Sequence, residues 1–133
     1  MCRVLIADDS EVMRTAIRKT LEEESKLRIV GEAASFGQTV QMINDLKPDV
    51  LLLDLHLAEK RDFTPALVKA QLSIVCTLAV SFSNDDEAKV LAESYGAVTL
   101  LDKMKLYTEM LPAIKKCHPE LERQPLKRGA NAA

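Results

Sequence analysis

Val50-Leu51-Leu52-Leu53-Asp54-Leu55 is the most apolar stretch of the chain, interrupted only by the carboxylate of Asp54. An apolar run of this length without polar alternation reads as a strand buried on both faces, at the centre of a sheet covered by helices above and below. Outward from it, Arg3 to Ala7, Leu27 to Ala34, Ile74 to Ser81 and Val98 to Leu101 read as four further strands. Helical spacing fills the intervals. Met13, Ile17 and Leu21 make an apolar stripe over Ser10 to Glu24, with Ser10 as cap and Glu11 at the positive end. Val40, Ile43 and Leu46 do the same over Gly37 to Leu46, where Pro48 forbids continuation. Phe63, Ala66, Leu67 and Ala70 predict a helix over Asp62 to Gln71 with Pro65 in its first turn. Asn84-Asp85-Asp86-Glu87 opens a fourth helix that runs to Tyr95 and stops at Gly96. Tyr107, Met110, Leu111 and Ile114 mark a fifth over Leu106 to Cys117, which Pro112 should bend or delay. Strands and helices alternating through short connections predict an α/β fold, a doubly wound parallel sheet.

Composition sets the bounds. The 133 residues suit one domain, and 47% hydrophobic with 29% charged residues exclude a disordered or fibrous chain. Lys and Arg number 18 against 20 Asp and Glu, so a net charge of -2 argues against affinity built on nucleic-acid phosphates. Cys2, Cys76 and Cys117 are odd in number, far apart and without C-x-x-C spacing. That pattern predicts neither a disulfide framework nor a zinc site, with Cys76 a small apolar strand residue, and it suits a reducing cytosol. No apolar run reaches membrane-spanning length and the start does not read as a signal peptide, which predicts a cytoplasmic protein. Residues 1–117 are expected to form the folded domain, and residues 118–133, aperiodic and with two prolines, a linker or frayed tail.

In an open α/β sheet, ligands bind beyond the carboxyl ends of the strands. Asp8 and Asp9 end the first strand, Asp54 the third, Ser81 the fourth, and Asp102-Lys103 the fifth. Clustered carboxylates repel and are costly to bury unpaired, so they call for a cation. Hard oxygen ligands suit Mg²⁺, which keeps coordination positions for water and phosphate. Lys103 offers a point charge for phosphoryl oxygens, Ser81 a hydroxyl donor, and one carboxylate can itself be the nucleophile. The set provides the positioning and charge neutralisation that phosphoryl transfer needs. Taken singly, Asp8-Asp9-Ser10 also reads as a helix-capping turn, Ser81 as a hydroxyl bonded to its own backbone, and Asp102 as solvent-facing. His56 reads as a loop residue, on the expectation that no second His, Cys or carboxylate stands at ligand spacing.

The pattern Asp8-Asp9, Asp54, Ser81 and Lys103, each at the end of its own strand, resembles the receiver domain of bacterial two-component response regulators. The resemblance covers about Arg3 to Cys117, and Leu27 to Leu57 looks most like receivers attached to helix-turn-helix DNA-binding domains. It implies a flavodoxin-like (βα)5 fold with strand order 2-1-3-4-5. Asp54 would then accept a phosphoryl group from a sensor histidine kinase or phosphotransfer protein. Asp9, Asp54 and the backbone carbonyl of His56 would bind Mg²⁺ directly, and Asp8 through a water. Ser81 would move to the phosphoryl group and Lys103 would pair with it. The domain would catalyse only its own phosphorylation and dephosphorylation, signalling through the face of the fourth helix, fifth strand and fifth helix. The resemblance also allows a homodimer and a DNA-binding domain beyond Ala133, with no direct nucleic-acid binding by these residues.

Against the family pattern, Ala58 and Asp62 replace the usual proline and glycine after Asp54, which implies a less rigid loop. Leu100 replaces an aromatic switch, Met104 a proline, and Phe82 a small residue beside Ser81. Two other functions compete. One is a degenerate receiver that binds partners without phosphate, favoured by these departures. The other is a small Mg²⁺-dependent aspartyl phosphatase, which would place Asp-x-Asp on the first strand where this chain has adjacent Asp8-Asp9. Phe82 itself has two expected places: packed under the start of the fourth helix, or lying over the acidic pocket.

Overall fold

The computed structural model describes residues 1–60 and 63–122. Strands β1 (Cys2–Ala7), β2 (Leu27–Ala33), β3 (Val50–Asp54), β4 (Cys76–Ser81) and β5 (Thr99–Asp102) form one parallel sheet in the order β2-β1-β3-β4-β5. Helices α1 (Glu11–Leu21), α2 (Phe36–Leu46), α3 (Pro65–Gln71), α4 (Asp86–Ser94) and α5 (Leu106–Cys117) connect them. The apolar run quoted above is the middle strand, as its composition requires. Leu52 lies between Ile6 of β1 and Leu78 of β4, and all three are buried.

Alternation along the strands splits the core between the two faces of the sheet. Val4, Ile6, Leu52, Leu78, Val80 and Leu101 point toward Ile17 and Leu21 of α1 and Met110 and Ile114 of α5. Leu5, Leu51, Leu53 and Ala79 point the other way, toward Phe36 and Ile43 of α2, Val68 of α3 and Ala88 and Ala92 of α4. Each buried aliphatic side chain contributes roughly 1.5–3 kcal/mol, so the sheet is held from both sides.

Helix starts use one device repeatedly. Ser10 Oγ, Ser35 Oγ, Thr64 Oγ1 and Asp85 Oδ1 accept from the amides of Met13 (3.1 Å), Gln38 (3.2 Å), Leu67 (3.1 Å) and Ala88 (2.9 Å). Gly96 ends the α4 segment at φ 83, a left-handed conformation that a side chain disfavours. Thr64 explains why α3 begins at Pro65 and not at Asp62, which lies outside the described residues. β4 begins two residues later than expected, and Ile74 is exposed. Helix α5 carries Pro112 in its interior without a break, because the flanking Met110, Ala113 and Ile114 are packed into the core. A short 3-10 turn, Pro119–Glu122, follows α5 and buries Leu121 in the α1/α5 core. The tail expected from residue 118 thus starts out packed, and its part from residue 123 lies outside the described residues.

The cysteine expectation is corrected. Cys76 and Cys117 form a disulfide, and Cys2 is the free, buried cysteine. Linear spacing concealed the pair because the start of β4 and the end of α5 meet only in the folded chain, 41 residues apart in sequence. Cys76 is therefore a cross-link and not a small apolar filler. Burial, then the nearby Asp49 carboxylate, pushes the Cys2 thiol up to about 11.

Closing a loop of 41 residues restricts the unfolded chain, which places the stabilisation at about 2–4 kcal/mol. Denaturant unfolding of the oxidised chain and of Cys117→Ser should differ by that amount. Equal midpoints would mean that the bond does not constrain the unfolded state.

Candidate functional site

The parallel sheet brings the carboxyl ends of β1, β3, β4 and β5 to one edge, and the polar residues that end those strands meet there. Asp8 is almost completely buried, Asp54 is half-buried at the end of the central strand, Asp9 is exposed, and Ser81 is buried. Carboxylate oxygens of Asp8, Asp9 and Asp54 all lie within 4.8 Å of one another. Lys103, just past β5, reaches into them with its side chain largely buried. Its Nζ is 2.9 Å from Asp8 Oδ2 and 3.7 Å from Asp54 Oδ1. One ammonium thus serves two of the three carboxylates.

Backbone groups hold this arrangement in place. Asp8 Oδ1 accepts from the Ser10 amide at 2.9 Å, and the Asp8 carbonyl accepts from Arg14 Nη1 at 2.7 Å. Arg14 was not foreseen from sequence, since its role depends on α1 folding back over the end of β1. Asp54 Oδ1 accepts from the His56 amide at 3.3 Å, the first bond of the turn that leaves β3. The His56 carbonyl points into the same turn and accepts from the Glu59 amide at 3.3 Å, while its exposed ring pairs with Glu59. Ser81 Oγ accepts from the Ser83 amide at 3.0 Å, which leaves its own proton available for donation. Asp102 is half-buried and caps the following turn, accepting from the Met104 amide at 2.9 Å, so it is not simply solvent-facing.

Electrostatics follow from the geometry. Burial raises the Asp54 pKa above the ordinary carboxylate range, with Asp8 and Asp9 adding to the shift, against the Lys103 charge and the His56 amide that pull it down. The oxygen-only donor set of Asp8, Asp9 and Asp54 fits a hard divalent cation such as Mg²⁺.

Phe82 resolves between its two expected places. It is 63% exposed and therefore not packed under α4, and Lys103 Nζ sits 5.0 Å from its ring centroid. The ring lies over the ammonium at the pocket mouth, a cation–π contact worth about 0.5–2 kcal/mol.

A doubly wound sheet with an acidic pocket at the carboxyl ends of its strands is the architecture expected of a receiver domain. Residues 4–115 match the response regulator receiver domain family, and the chain belongs to it. Among curated relatives, it is 33% identical over 101 residues to a protein-glutamate methylesterase/protein-glutamine glutaminase of Geobacter sulfurreducens, covering 76% of this chain and 27% of that protein. It is 30% identical over 127 residues to the transcriptional regulatory protein LiaR of Bacillus subtilis, covering 92% of this chain and 60% of LiaR. The chain thus spans less than two thirds of either relative. Among solved structures it resembles the signal receiver domain of the response regulator NarL from Mycobacterium tuberculosis, with TM-score 0.76, 26% identity, and coverage of 87% and 94% of the two chains. The response regulator domain of Thermotoga maritima CheB shares the fold at TM-score 0.75.

Two outcomes are expected. Because the folded-state pKa of Asp54 is raised, its contribution to stability is present below the ordinary carboxylate pKa and is lost as pH rises through the raised value. Asp54→Asn should therefore be more stable than wild type at neutral pH without Mg²⁺, with the gap closing in acid, as read by thermal unfolding across pH. Lys103→Met, which takes the ammonium away from Asp8 and Asp54, should cost about 3–5 kcal/mol under the same conditions.

Proposed function

We propose that this receiver domain accepts a phosphoryl group on Asp54 from a sensor histidine kinase or phosphotransfer protein and relays it as a change in partner binding. The observation that carries the reading is Asp54 at the end of the central strand, with Lys103 Nζ 3.7 Å away and two further carboxylates within 4.8 Å. An ionised Asp54 oxygen attacks phosphorus, the bond from phosphorus to the donor nitrogen breaks, and the leaving imidazole takes a proton. Lys103 shifts its charge from the carboxylates toward the phosphoryl oxygens, and the Ser81 hydroxyl donates to one of them. Asp8, Asp9, Asp54 and the His56 carbonyl would hold Mg²⁺, which when bound supplies charge neutralisation for the incoming phosphate. Water attacking phosphorus later returns Asp54 and inorganic phosphate, so the chain catalyses only its own phosphorylation and dephosphorylation.

Signal leaves through the face of α4, β5 and α5. Val90, Val98, Met104 and Tyr107 are exposed apolar side chains there, and phosphorylation shifts the population of that face. The curated relatives carry two kinds of output, methylesterase and transcriptional regulation. Transcriptional output is the working proposal, because the match to LiaR joins 30% identity to coverage of 92% of this chain, whereas methylesterases match at 33% over 76% or at 26% over 96%. No helix among the described residues is long and apolar enough to cross a membrane. The kinase partnership argues for a cytoplasmic site of action and the Cys76–Cys117 bond for a less reducing one. Counting thiols in protein alkylated at lysis decides between them.

Phe82 acts as a lid in this reading. Its ring over Lys103 narrows the route to Asp54 for small phosphodonors and for water.

Acetyl phosphate with Mg²⁺ should label wild type and leave Asp54→Asn unlabelled. Unchanged labelling of Asp54→Asn, with loss in Asp8→Asn, would overturn the assignment. Phe82→Ala should speed both labelling and dephosphorylation severalfold, and unchanged rates would remove the lid.

A further inference from the structure

The opposite edge of the sheet, where the strands begin, gathers a different set of donors. Cys2 opens β1, Asp49 precedes β3, and His118 follows α5. The Cys2 sulfur, an Asp49 carboxylate oxygen and a His118 ring nitrogen all lie within 4.8 Å of one another. These three segments are remote in sequence, so only the folded chain assembles the group. Cys2 is fully buried, whereas Asp49 and His118 are half-buried, so the cluster lies at the margin between core and surface.

Each member is already positioned by other contacts. The Cys2 amide donates to the Lys26 carbonyl at 2.9 Å. Asp49 Oδ2 accepts from the Arg3 amide at 2.9 Å, and the Asp49 carbonyl accepts from the Cys76 amide at 3.2 Å. The His118 amide donates to the Ile114 carbonyl at 3.0 Å, and the preceding residue, Cys117, is tied to Cys76 by the disulfide. These contacts fix the backbone from which the Cys2 and His118 side chains extend, and hold the Asp49 carboxylate itself.

Donor chemistry selects the ion. Sulfur, imidazole nitrogen and carboxylate oxygen together are a poor set for Mg²⁺ or Ca²⁺ and a suitable one for Zn²⁺. Tetrahedral bonds of about 2.0–2.3 Å separate ligand atoms by roughly 3.3–3.8 Å, so closing the cluster on an ion needs side-chain movements of about an ångström. The protein supplies three donors here, and a fourth position would be left to solvent, while Glu120 pairs with the His118 ring, its Oε1 3.6 Å from Nε2.

We propose that Cys2, Asp49 and His118 form a binding site for Zn²⁺ or a cation of the same class, at the edge of the sheet opposite the phosphoryl pocket. Binding makes a sulfur–metal bond and releases the thiol proton to solvent, with no change of oxidation state. The ion joins the start of β1, the entry to β3 and the end of α5.

The test is titration of the full chain with Co²⁺ as a spectroscopic substitute for Zn²⁺. The disulfide leaves Cys2 as the one thiol of the three cysteines, so a thiolate-to-cobalt charge-transfer band in the near ultraviolet reports on this site. The Cys76→Ser/Cys117→Ser double variant keeps that property whether or not the disulfide is closed. The expected result is a band that saturates at one equivalent, survives excess Mg²⁺, is displaced by Zn²⁺ and is absent in Cys2→Ser. His118→Gln, altered at a half-buried position after α5, should weaken Co²⁺ binding by about tenfold or more. Absence of the band, its persistence in Cys2→Ser, or undiminished binding in His118→Gln would overturn the site.

Discussion

Mutual repulsion of Asp8, Asp9 and Asp54 is the constraint on which the rest of the structure depends. Three carboxylates within 4.8 Å of one another cannot all be ionised at low cost beside an apolar sheet. Lys103 offsets part of that cost, and burial keeps the Asp54 carboxyl above its ordinary range. The edge is therefore held in a state that a divalent cation can improve, and a phosphoryl group adds negative charge that such a cation and Lys103 would have to offset. A switch needs such an unsatisfied site, since a ligand shifts an equilibrium only by its preference for one state.

The fold's task is to hold that repulsion in register. β3 must be apolar on both faces to be central, and it ends in the carboxylate proposed as the acceptor. Ser10 does two jobs at the end of β1, capping α1 with its hydroxyl and holding Asp8 with its amide. The two ends of the sheet then divide the chemistry. Oxygen donors and an ammonium collect where the strands end, and sulfur and imidazole collect where they begin. If both proposed sites bind their ions, that separation keeps the all-oxygen donor set apart from the mixed set of Cys2, Asp49 and His118.

The fold was legible because its signals are local. The Val50–Asp54 run, the alternation of strands and helices, and the helix caps can each be read within a window of a few residues. Asp8, Asp9, Asp54, Ser81 and Lys103 were legible as a group because each directly ends or follows a strand, and a parallel sheet brings such ends together. What escaped reading depends on tertiary approach. The Cys76–Cys117 bond links residues 41 apart, Arg14 reaches Asp8 only after α1 folds back, and the donors around Cys2 come from three separate segments. Phe82 was visible as an oddity, but whether its ring covers Lys103 or the core is decided by side-chain packing.

The most direct test is chemical trapping of the phosphorylated residue. The full chain, incubated with acetyl phosphate and Mg²⁺, is reduced with borohydride, which converts an aspartyl phosphate to homoserine, and the product is mapped by peptide mass spectrometry. Homoserine at position 54 alone is the predicted result. Homoserine at position 8 or 9, or an unmodified chain after prolonged incubation with the donor, would contradict it.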